Sequence, residues 1–107
     1  MRATDLEIME RLQLRANDCG KRITFTHKLF FFRLVDYAIS ENNVAGDGLR
    51  VSLSEDEMAS TFDISKRMVT QSLRVLSDCG ILLRYRGAKK IFTTVAKKEF
   101  FERSENT

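Results

Sequence analysis

The chain of 107 residues contains no proline, no tryptophan, one histidine and two cysteines. Because there is a single histidine, neither a histidine-based triad nor a metal site with two histidines can be assembled within one chain. Cys19 and Cys79 are sixty residues apart and form neither a C-x-x-C redox pair nor a metal-ligand pattern. We therefore expect reduced, structural thiols and no metal.

Long apolar runs are also missing, and none approaches the roughly 18 residues that a membrane helix requires. The opening MRATDLEIMER carries acidic residues where a secretory signal needs an apolar run, so a cytoplasmic protein without membrane partners is expected. Phosphate-loop, dinucleotide-binding and nucleophile-elbow motifs are absent. His27 and the carboxylates of residues 55–57 are interpreted as helix-start residues. We therefore predict that the chain is not an enzyme and binds no cofactor.

Charge is unevenly distributed along the chain. Residues 1–63 carry a net charge of −3, residues 64–98 carry +8, and residues 99–107 carry −2, for a total of +3. A concentrated basic segment is typical of proteins that bind nucleic acid or an anionic surface, although a solvated basic face is the alternative. The hydrophobic content of 43% with eight phenylalanines is sufficient for the core of one domain.

Apolar spacing predicts a long helix over residues 4–25 and a second helix over residues 27–41 with Thr26 as N-cap. The second helix is apolar around most of its circumference, so it is expected at the centre of the core. Residues 42–48 are expected to form a loop and residues 49–53 a short strand. The first helix has a thin apolar stripe that resembles a coiled-coil seam and consists of Leu6, Met9, Leu12, Ala16 and Ile23. We predict dimerisation through Leu6, Met9, Leu12 and Ile23.

A helix-turn-helix is predicted over residues 54–78. Ser54 with Glu57 forms a capping box that opens a short helix, and Ser65 is the N-cap of a longer one. Asp63 lies where the turn needs a positive φ, which aspartate tolerates better than a branched residue. Gly80 is a suitable residue to end the second helix.

A basic β-hairpin follows, with strands predicted at residues 81–85 and 90–93, and a closing helix is predicted at residues 95–103. A hairpin directly after a helix-turn-helix is a wing. The predicted fold is therefore mainly α with a small β-wing, a winged helix-turn-helix preceded by a long N-terminal helix.

The predicted function is DNA recognition. Residues 65–78 are predicted to be the recognition helix in the major groove, and the wing at residues 81–93 is predicted to contact the DNA backbone. Side chains near the start of the recognition helix are predicted to read bases: Lys66, Arg67, Thr70 and Gln71. Residues beside them and in the wing are predicted to bind phosphate: Ser54, Ser65, Arg74, Arg84, Tyr85, Arg86, Lys89 and Lys90.

Residues 51–92 resemble the winged-helix domain of the Crp/Fnr family of bacterial transcription regulators. The resemblance rests on the segments Leu53-Ser54, SKRMVTQ at residues 65–71 and LSDCGIL at residues 76–82. The chain departs from the family pattern at four positions, where Asp63 replaces glycine, Lys66 arginine, Met68 threonine and Gln71 a frequent second arginine. These changes leave the fold prediction in place and imply a different operator sequence.

The resemblance implies that residues 1–25 are the end of a dimerisation helix and that residues 26–107 are a winged helix-turn-helix domain. It further implies a homodimer, double-stranded DNA and RNA polymerase as partners, and an effector ligand that this chain does not bind. Two alternatives stay open. A winged helix can serve as a protein-interaction module, although protein interfaces are depleted in lysine. A replication-initiator winged helix would bind DNA without needing the N-terminal helix pair.

Overall fold

The computed structural model describes residues 2–46, 48–87 and 92–103. Within these residues the strands form one antiparallel sheet in the order β1-β2-β4-β3. Helices α3 and α4 form a helix-turn-helix, and the β3–β4 hairpin that follows, called the wing below, completes a winged-helix arrangement. In chain order the elements are α1 (Asp5–Asp18), α2 (Phe25–Ser40), β1 (Val44–Ala45), β2 (Gly48–Val51), α3 (Glu55–Phe62), α4 (Lys66–Asp78), β3 (Leu82–Arg86), β4 (Phe92–Lys97) and α5 (Lys98–Phe101).

Helix α2 lies at the centre of the core, as its apolar circumference predicts. Phe30, Phe31 and Leu34 are fully or almost fully buried in a core that also includes residues of α1, α4 and the sheet. The helix begins two residues earlier than expected, because the N-cap is Thr24 and not Thr26. The Thr24 hydroxyl accepts the His27 N–H at 3.4 Å, and His27 Nδ1 accepts the Thr24 N–H at 3.2 Å. His27 is thus a helix-start residue that fills the place a glutamate usually takes in a capping box.

Helix α1 is shorter than the predicted helix over residues 4–25, which is corrected here. It ends at Asp18, and Gly20 follows with φ of 67°. The Lys21 N–H then bonds to the Ala16 carbonyl at 2.9 Å, which closes the helix and turns the chain away. Gly20 lies inside the predicted helix over residues 4–25 and is in fact the stop signal of α1.

The apolar stripe of α1 packs into the chain's own core. Ile8, Leu12 and Ala16 are fully buried, and Ile23 is 7% exposed. Two further bonds hold α1 and the residues before it to the C-terminal segment: the Ala3 N–H donates to the Phe101 carbonyl at 2.7 Å, and Arg11 Nη1 donates to the Glu102 carbonyl at 2.7 Å. Leu12 and Ile23 are therefore not available to a second chain in this conformation.

The closing helix predicted at residues 95–103 is also corrected. Strand β4 continues to Lys97, and only Lys98–Phe101 are helical. Val95 and Ala96 are fully buried and pair with strands on both sides, with Arg50 and Leu49 of β2 and with Leu83 and Leu82 of β3. Pairing on both sides outweighs the helical spacing of the segment.

The predicted loop at residues 42–48 contains strand β1, which pairs with β2. The expected strand at residues 49–53 is found as β2 at Gly48–Val51. Gly48 has φ of 150°, and a Cβ there would collide with the Ala96 carbonyl. Glycine at this position therefore allows β2 and β4 to pair. In the described parts of the chain no helix is both long and apolar enough to cross a membrane.

Candidate nucleic-acid interface

The first helix of the helix-turn-helix begins with the capping box that the sequence predicts. Ser54 Oγ accepts the Glu57 N–H at 3.1 Å, and Glu57 Oε1 accepts the Ser54 N–H at 3.0 Å. These two bonds satisfy backbone donors that a helix start would otherwise leave unpaired. The capping box fixes the start of α3 at Glu55. The side chains of Glu55 and Asp56 take no part in the capping box, so they can contact other residues.

The turn between α3 and α4 is held by its backbone and by one aromatic anchor. Asp63 adopts the predicted left-handed conformation, with φ of 55°. Phe62 is 3% exposed and meets the rings of Phe30 and Tyr37 edge-on at 5.8 and 5.9 Å. Arg33 Nη1 donates to the Phe62 carbonyl at 3.1 Å, so α2 also holds the end of α3. The angle at which α4 leaves the turn is therefore set by the core.

Helix α4 divides cleanly into an inward and an outward face. Ser65 Oγ accepts the Met68 N–H at 3.1 Å, which confirms the predicted N-cap. The inward face consists of the buried residues Val69, Ser72, Leu73 and Leu76. All four residues predicted to read bases, together with the nearby predicted phosphate ligand, are exposed on the outward face: Lys66, Arg67, Thr70, Gln71 and Arg74.

Two carboxylates of α3 contact this outward face, which the sequence reasoning missed. Lys66 Nζ lies 3.1 Å from Asp56 Oδ1. Thr70 Oγ1 donates to Glu55 Oε1 at 2.6 Å and to the Lys66 carbonyl at 3.1 Å. From the sequence, the carboxylates of residues 55–57 are interpreted only as helix-start residues, which complement the helix dipole. The available signal was its opposite charge to the SKR segment that opens the next helix.

The wing approaches the same place from the other side. A cleft of about 300 Å³ separates α4 from β3. Burial lowers the pKa of the Arg84 guanidinium, and the negative charge of Glu55 acts in the opposite direction. Glu55 is therefore close enough to influence the wing while it bonds to α4. The cleft is lined by Glu55, Thr70, Leu73, Arg74, Ser77 and Arg84.

The remaining predicted phosphate ligands of the described chain lie on β3 and at the starts of α3 and α4. Tyr85 and Arg86 are exposed on β3, where Tyr85 pairs with Thr93 and Arg86 with Phe92 in the hairpin register. The hydroxyls of Ser54 and Ser65 accept cap bonds and retain a proton to donate. Lys89 and Lys90 lie outside the described residues. Arg74, Arg84, Tyr85 and Arg86 are thus all placed on α4 or β3.

The predicted dimerisation residues are not gathered on one open surface. Leu12 and Ile23 are buried in the core, whereas Leu6 is 67% exposed and Met9 is partly buried. Leu14, which was not singled out from the sequence, is 64% exposed on the same helix.

Two other kinds of site, metal-ligand clusters and cavities, were considered in the described parts of the chain. No cluster of three or more His, Cys, Asp or Glu side chains suited to a metal ion occurs within residues 2–46, 48–87 and 92–103. A larger cavity of about 600 Å³ lies between α2, the β1–β2 strands and α5. Its charged residues include Arg2 and Asp36, which pair with each other at 3.1 Å.

Comparison with known proteins identifies the fold and not a family. No family model matches the chain, and no curated protein matches it. A solved structure described as "N-Terminal domain of DNA binding protein" is similar with a TM-score of 0.59 and 20% identity, over 72% of this chain and 63% of that one. Another, described as "Structure of Rep-DNA complex", has a TM-score of 0.58 and 20% identity, over 71% of this chain and 62% of that one. The chain thus spans a little under two thirds of each matched chain.

Proposed function

We propose that this chain binds double-stranded DNA, with α4 in the major groove and the wing on the adjoining backbone. The observation that carries the proposal is the outward face of α4, where Lys66, Arg67, Thr70 and Gln71 are all exposed. Thr70 also lines the cleft between α4 and the basic strand β3. An α-helix fits the major groove of B-DNA, and a helix-turn-helix presents the start of its second helix to base edges. Both similar structures are described in terms of DNA.

Each side chain has a role that its donors and acceptors allow. Lys66 and Arg67 donate to the O6 and N7 acceptors of guanine, and Gln71 pairs with N6 and N7 of adenine. Thr70 contacts a thymine methyl or a phosphate. Arg74 is one turn further along, where phosphate is the nearer partner.

The phosphate-binding part of this proposed interface is the cleft between α4 and β3. Arg74 and Arg84 line it from opposite elements, and Tyr85 and Arg86 extend the basic surface along the wing. Such contacts fix the register of a protein on the duplex without reading sequence. Ser54 and Ser65 add hydroxyls at the two helix starts, where backbone N–H groups also favour anions.

The acidic residues of α3 moderate this interface. Asp56 partly neutralises Lys66, and Glu55 holds the Thr70 hydroxyl, so both contacts must rearrange before these side chains reach DNA. Binding that depends on phosphate charge alone is weakened by the nearby carboxylates. A duplex that offers good base contacts can offset the rearrangement, so the acids favour specific over non-specific binding.

The experiment that tests the proposal is selection of bound duplexes from a random DNA pool, with affinity measured across a salt series. Enrichment of a common sequence, together with a loss of affinity as salt rises, is the expected result. Binding without enrichment would reduce the function to phosphate contact, and no binding at low salt would favour the protein-interaction module. Gln71→Ala on the enriched site should relax the preference at one base pair.

The finer proposal is a homodimeric bacterial transcription regulator of the Crp/Fnr type. It is supported by the quoted motif residues, which lie immediately before α3, along α4 and at the start of the wing. Because Leu12 and Ile23 are committed to the core, a dimer in this conformation would use other surfaces, of which exposed Leu6 and Leu14 on α1 are candidates. RNA polymerase remains a proposed further partner.

A second candidate is a replication-initiator winged helix. It is favoured by the likeness to a structure described as a Rep–DNA complex and by an α1 that ends at Asp18 without forming a long projecting helix. Sedimentation of the chain with its selected DNA separates the two. Two chains on a palindrome with half-sites about 34 Å apart support the regulator. One chain on a single unpaired site supports the initiator type.

A further inference from the structure

The two cysteines, distant in sequence, are neighbours in the structure. Cys19 is the C-cap of α1 and Cys79 is the C-cap of α4, and each is followed by a glycine with positive φ. Cys19 Sγ donates to the Cys79 carbonyl oxygen at 3.7 Å. The Cys19 thiol is also close enough to influence the pKa of the Cys79 thiol, and neither sulfur is in a disulfide. The fold therefore holds a thiol pair between the ends of two helices.

The two sulfurs differ in their surroundings. Cys79 is fully buried, and burial together with the Cys19 thiol raises its pKa. Cys19 is partly exposed, so it is the sulfur that a small oxidant in solvent can reach. Arg15 Nε donates to the Cys79 carbonyl at 2.7 Å, and its charge acts against the rise in the Cys79 pKa. Cys19 is therefore the accessible thiol, and its sulfur lies 3.7 Å from the carbonyl oxygen of Cys79, the residue that carries the buried thiol.

We propose that Cys19 and Cys79 form a reversible intramolecular disulfide when the protein meets a peroxide. Hydrogen peroxide oxidises the Cys19 thiol to a sulfenic acid, with release of one water. The Cys79 sulfur then attacks the Cys19 sulfur, the S–S bond forms, the S–O bond breaks, and a second water leaves with the Cys79 proton. A dithiol reductant restores both thiols. In reducing compartments, disulfides of this kind are mostly transient and redox-sensing.

The bond would tie the end of α1 to the end of α4. It would close a loop of sixty residues that contains α2, β1, β2, α3 and α4. Cross-linking a loop of this length restricts the unfolded chain, so the oxidised protein should melt roughly 5–15 °C higher than the reduced one. The proposal concerns the thiols alone and is independent of whether the chain binds DNA.

The test treats the full chain with hydrogen peroxide and follows intact mass, free thiols and melting temperature. The expected result is loss of two hydrogen atoms and of both free thiols, a monomeric band on a non-reducing gel, and a melting temperature that falls back after dithiothreitol. Peptide mapping should find a Cys19–Cys79 cross-link. Gain of oxygen atoms without the cross-link, a disulfide between chains, or no reaction would each overturn the proposal.

Cys19→Ser is the matched control, because serine can keep the bond to the Cys79 carbonyl while the disulfide is lost. Peroxide should leave the melting temperature of this variant unchanged. A rise equal to that of the parent chain would show that the effect comes from elsewhere. Cys79 is fully buried, so Cys79→Ser can impair folding, and the proposal does not depend on that variant.

Discussion

Helices α1 and α4 begin and end in the same way and yet face solvent with different chemistry. They have 14 and 13 residues and begin at hydroxyl N-caps, where Thr4 accepts the Glu7 N–H at 3.2 Å and Ser65 accepts the Met68 N–H at 3.1 Å. Both end in the tripeptide Asp-Cys-Gly, with the glycine in the left-handed conformation. The bond from Lys21 to Ala16 in one helix is matched by a bond from Ile81 to Leu76 in the other, each at 2.9 Å.

The difference lies on the outward faces. Helix α1 exposes mainly acidic and apolar side chains, including Asp5, Leu6, Glu7, Glu10 and Leu14, with Arg15 as an exposed basic residue. Helix α4 instead exposes Lys66, Arg67, Thr70, Gln71 and Arg74. Caps therefore set where a helix starts and stops, and the buried stripe sets what it packs against. The residues that face solvent are left free to determine the partner.

The largest expected effect is on stability, and it should be equal for the two helices. Leu12→Ala in α1 and Leu76→Ala in α4 each remove a fully buried side chain and should lower the free energy of unfolding by about 2–5 kcal/mol. Urea unfolding followed by circular dichroism measures both. Leu6→Ala is the control, since Leu6 is exposed and its loss should change stability by no more than about 0.5 kcal/mol. A Leu12→Ala protein as stable as the parent would mean that α1 is an appendage.

The next largest effect is on DNA binding, and it should be seen for α4 and not for α1. Arg67→Ala should weaken binding to the selected duplex by about 1–3 kcal/mol and relax preference at one base pair. Lys21→Ala removes an equal charge just after α1 and should leave that preference unchanged. Fluorescence anisotropy with the selected and a scrambled duplex measures the effect. Equal losses for the two variants, on both duplexes, would remove Arg67 from the base-reading set.

Arg86 of the wing should differ from Arg67 in how its loss affects DNA binding. Arg86→Ala should weaken selected and scrambled duplexes alike and reduce the salt slope by about one unit, because a phosphate contact carries no sequence information. The same anisotropy titration, repeated across a salt series, gives both quantities. A loss confined to the selected duplex would instead make Arg86 a base-reading residue.

Adding a side chain at either of the glycines that end α1 and α4 should lower the stability of the protein. Gly20→Ala and Gly80→Ala force alanine into the left-handed region and should each cost about 1–2 kcal/mol of stability. Gly80→Ala should be the costlier, since its Cβ would lie 3.2 Å from Arg15 Nη2. Gly46→Ala is the control, because open space surrounds that position and its φ is not in that region. Thermal melts that show no cost for Gly20→Ala would contradict its role as the stop of α1.

The smallest effect concerns the carboxylate beside α4. Asp56→Asn removes the partner of Lys66 and should tighten binding to a scrambled duplex by up to about 1 kcal/mol, as expected for one exposed ion pair. Glu10→Gln makes the same change in net charge on α1, away from the proposed interface. If both variants tighten binding equally, total charge and not the Asp56–Lys66 contact is responsible.

The helix-turn-helix was predictable because its signals are local. Ser54, Glu57, Asp63 and Ser65 each act within a few residues, and the structure confirms the capping box, the left-handed turn and the N-cap. The secondary structure at the two ends of the domain was harder to predict. Residues 95–97 have helical spacing, but they join β4 because β2 and β3 lie on either side. No local pattern reports a strand partner some 45 residues away.

The sequence by itself determined the N-caps of α3 and α4, the glycine stop of α4, the central position of α2 and the basic composition of residues 64–98, since these depend on neighbouring residues or on counts. Only the tertiary structure decided that the stripe of α1 enters the chain's own core, that Glu55 and Asp56 contact the outward face of α4, and that the two cysteines meet. Each of these depends on which surfaces the fold brings together. Packing of distant segments is decided by the whole core, and spacing along the chain does not encode it locally.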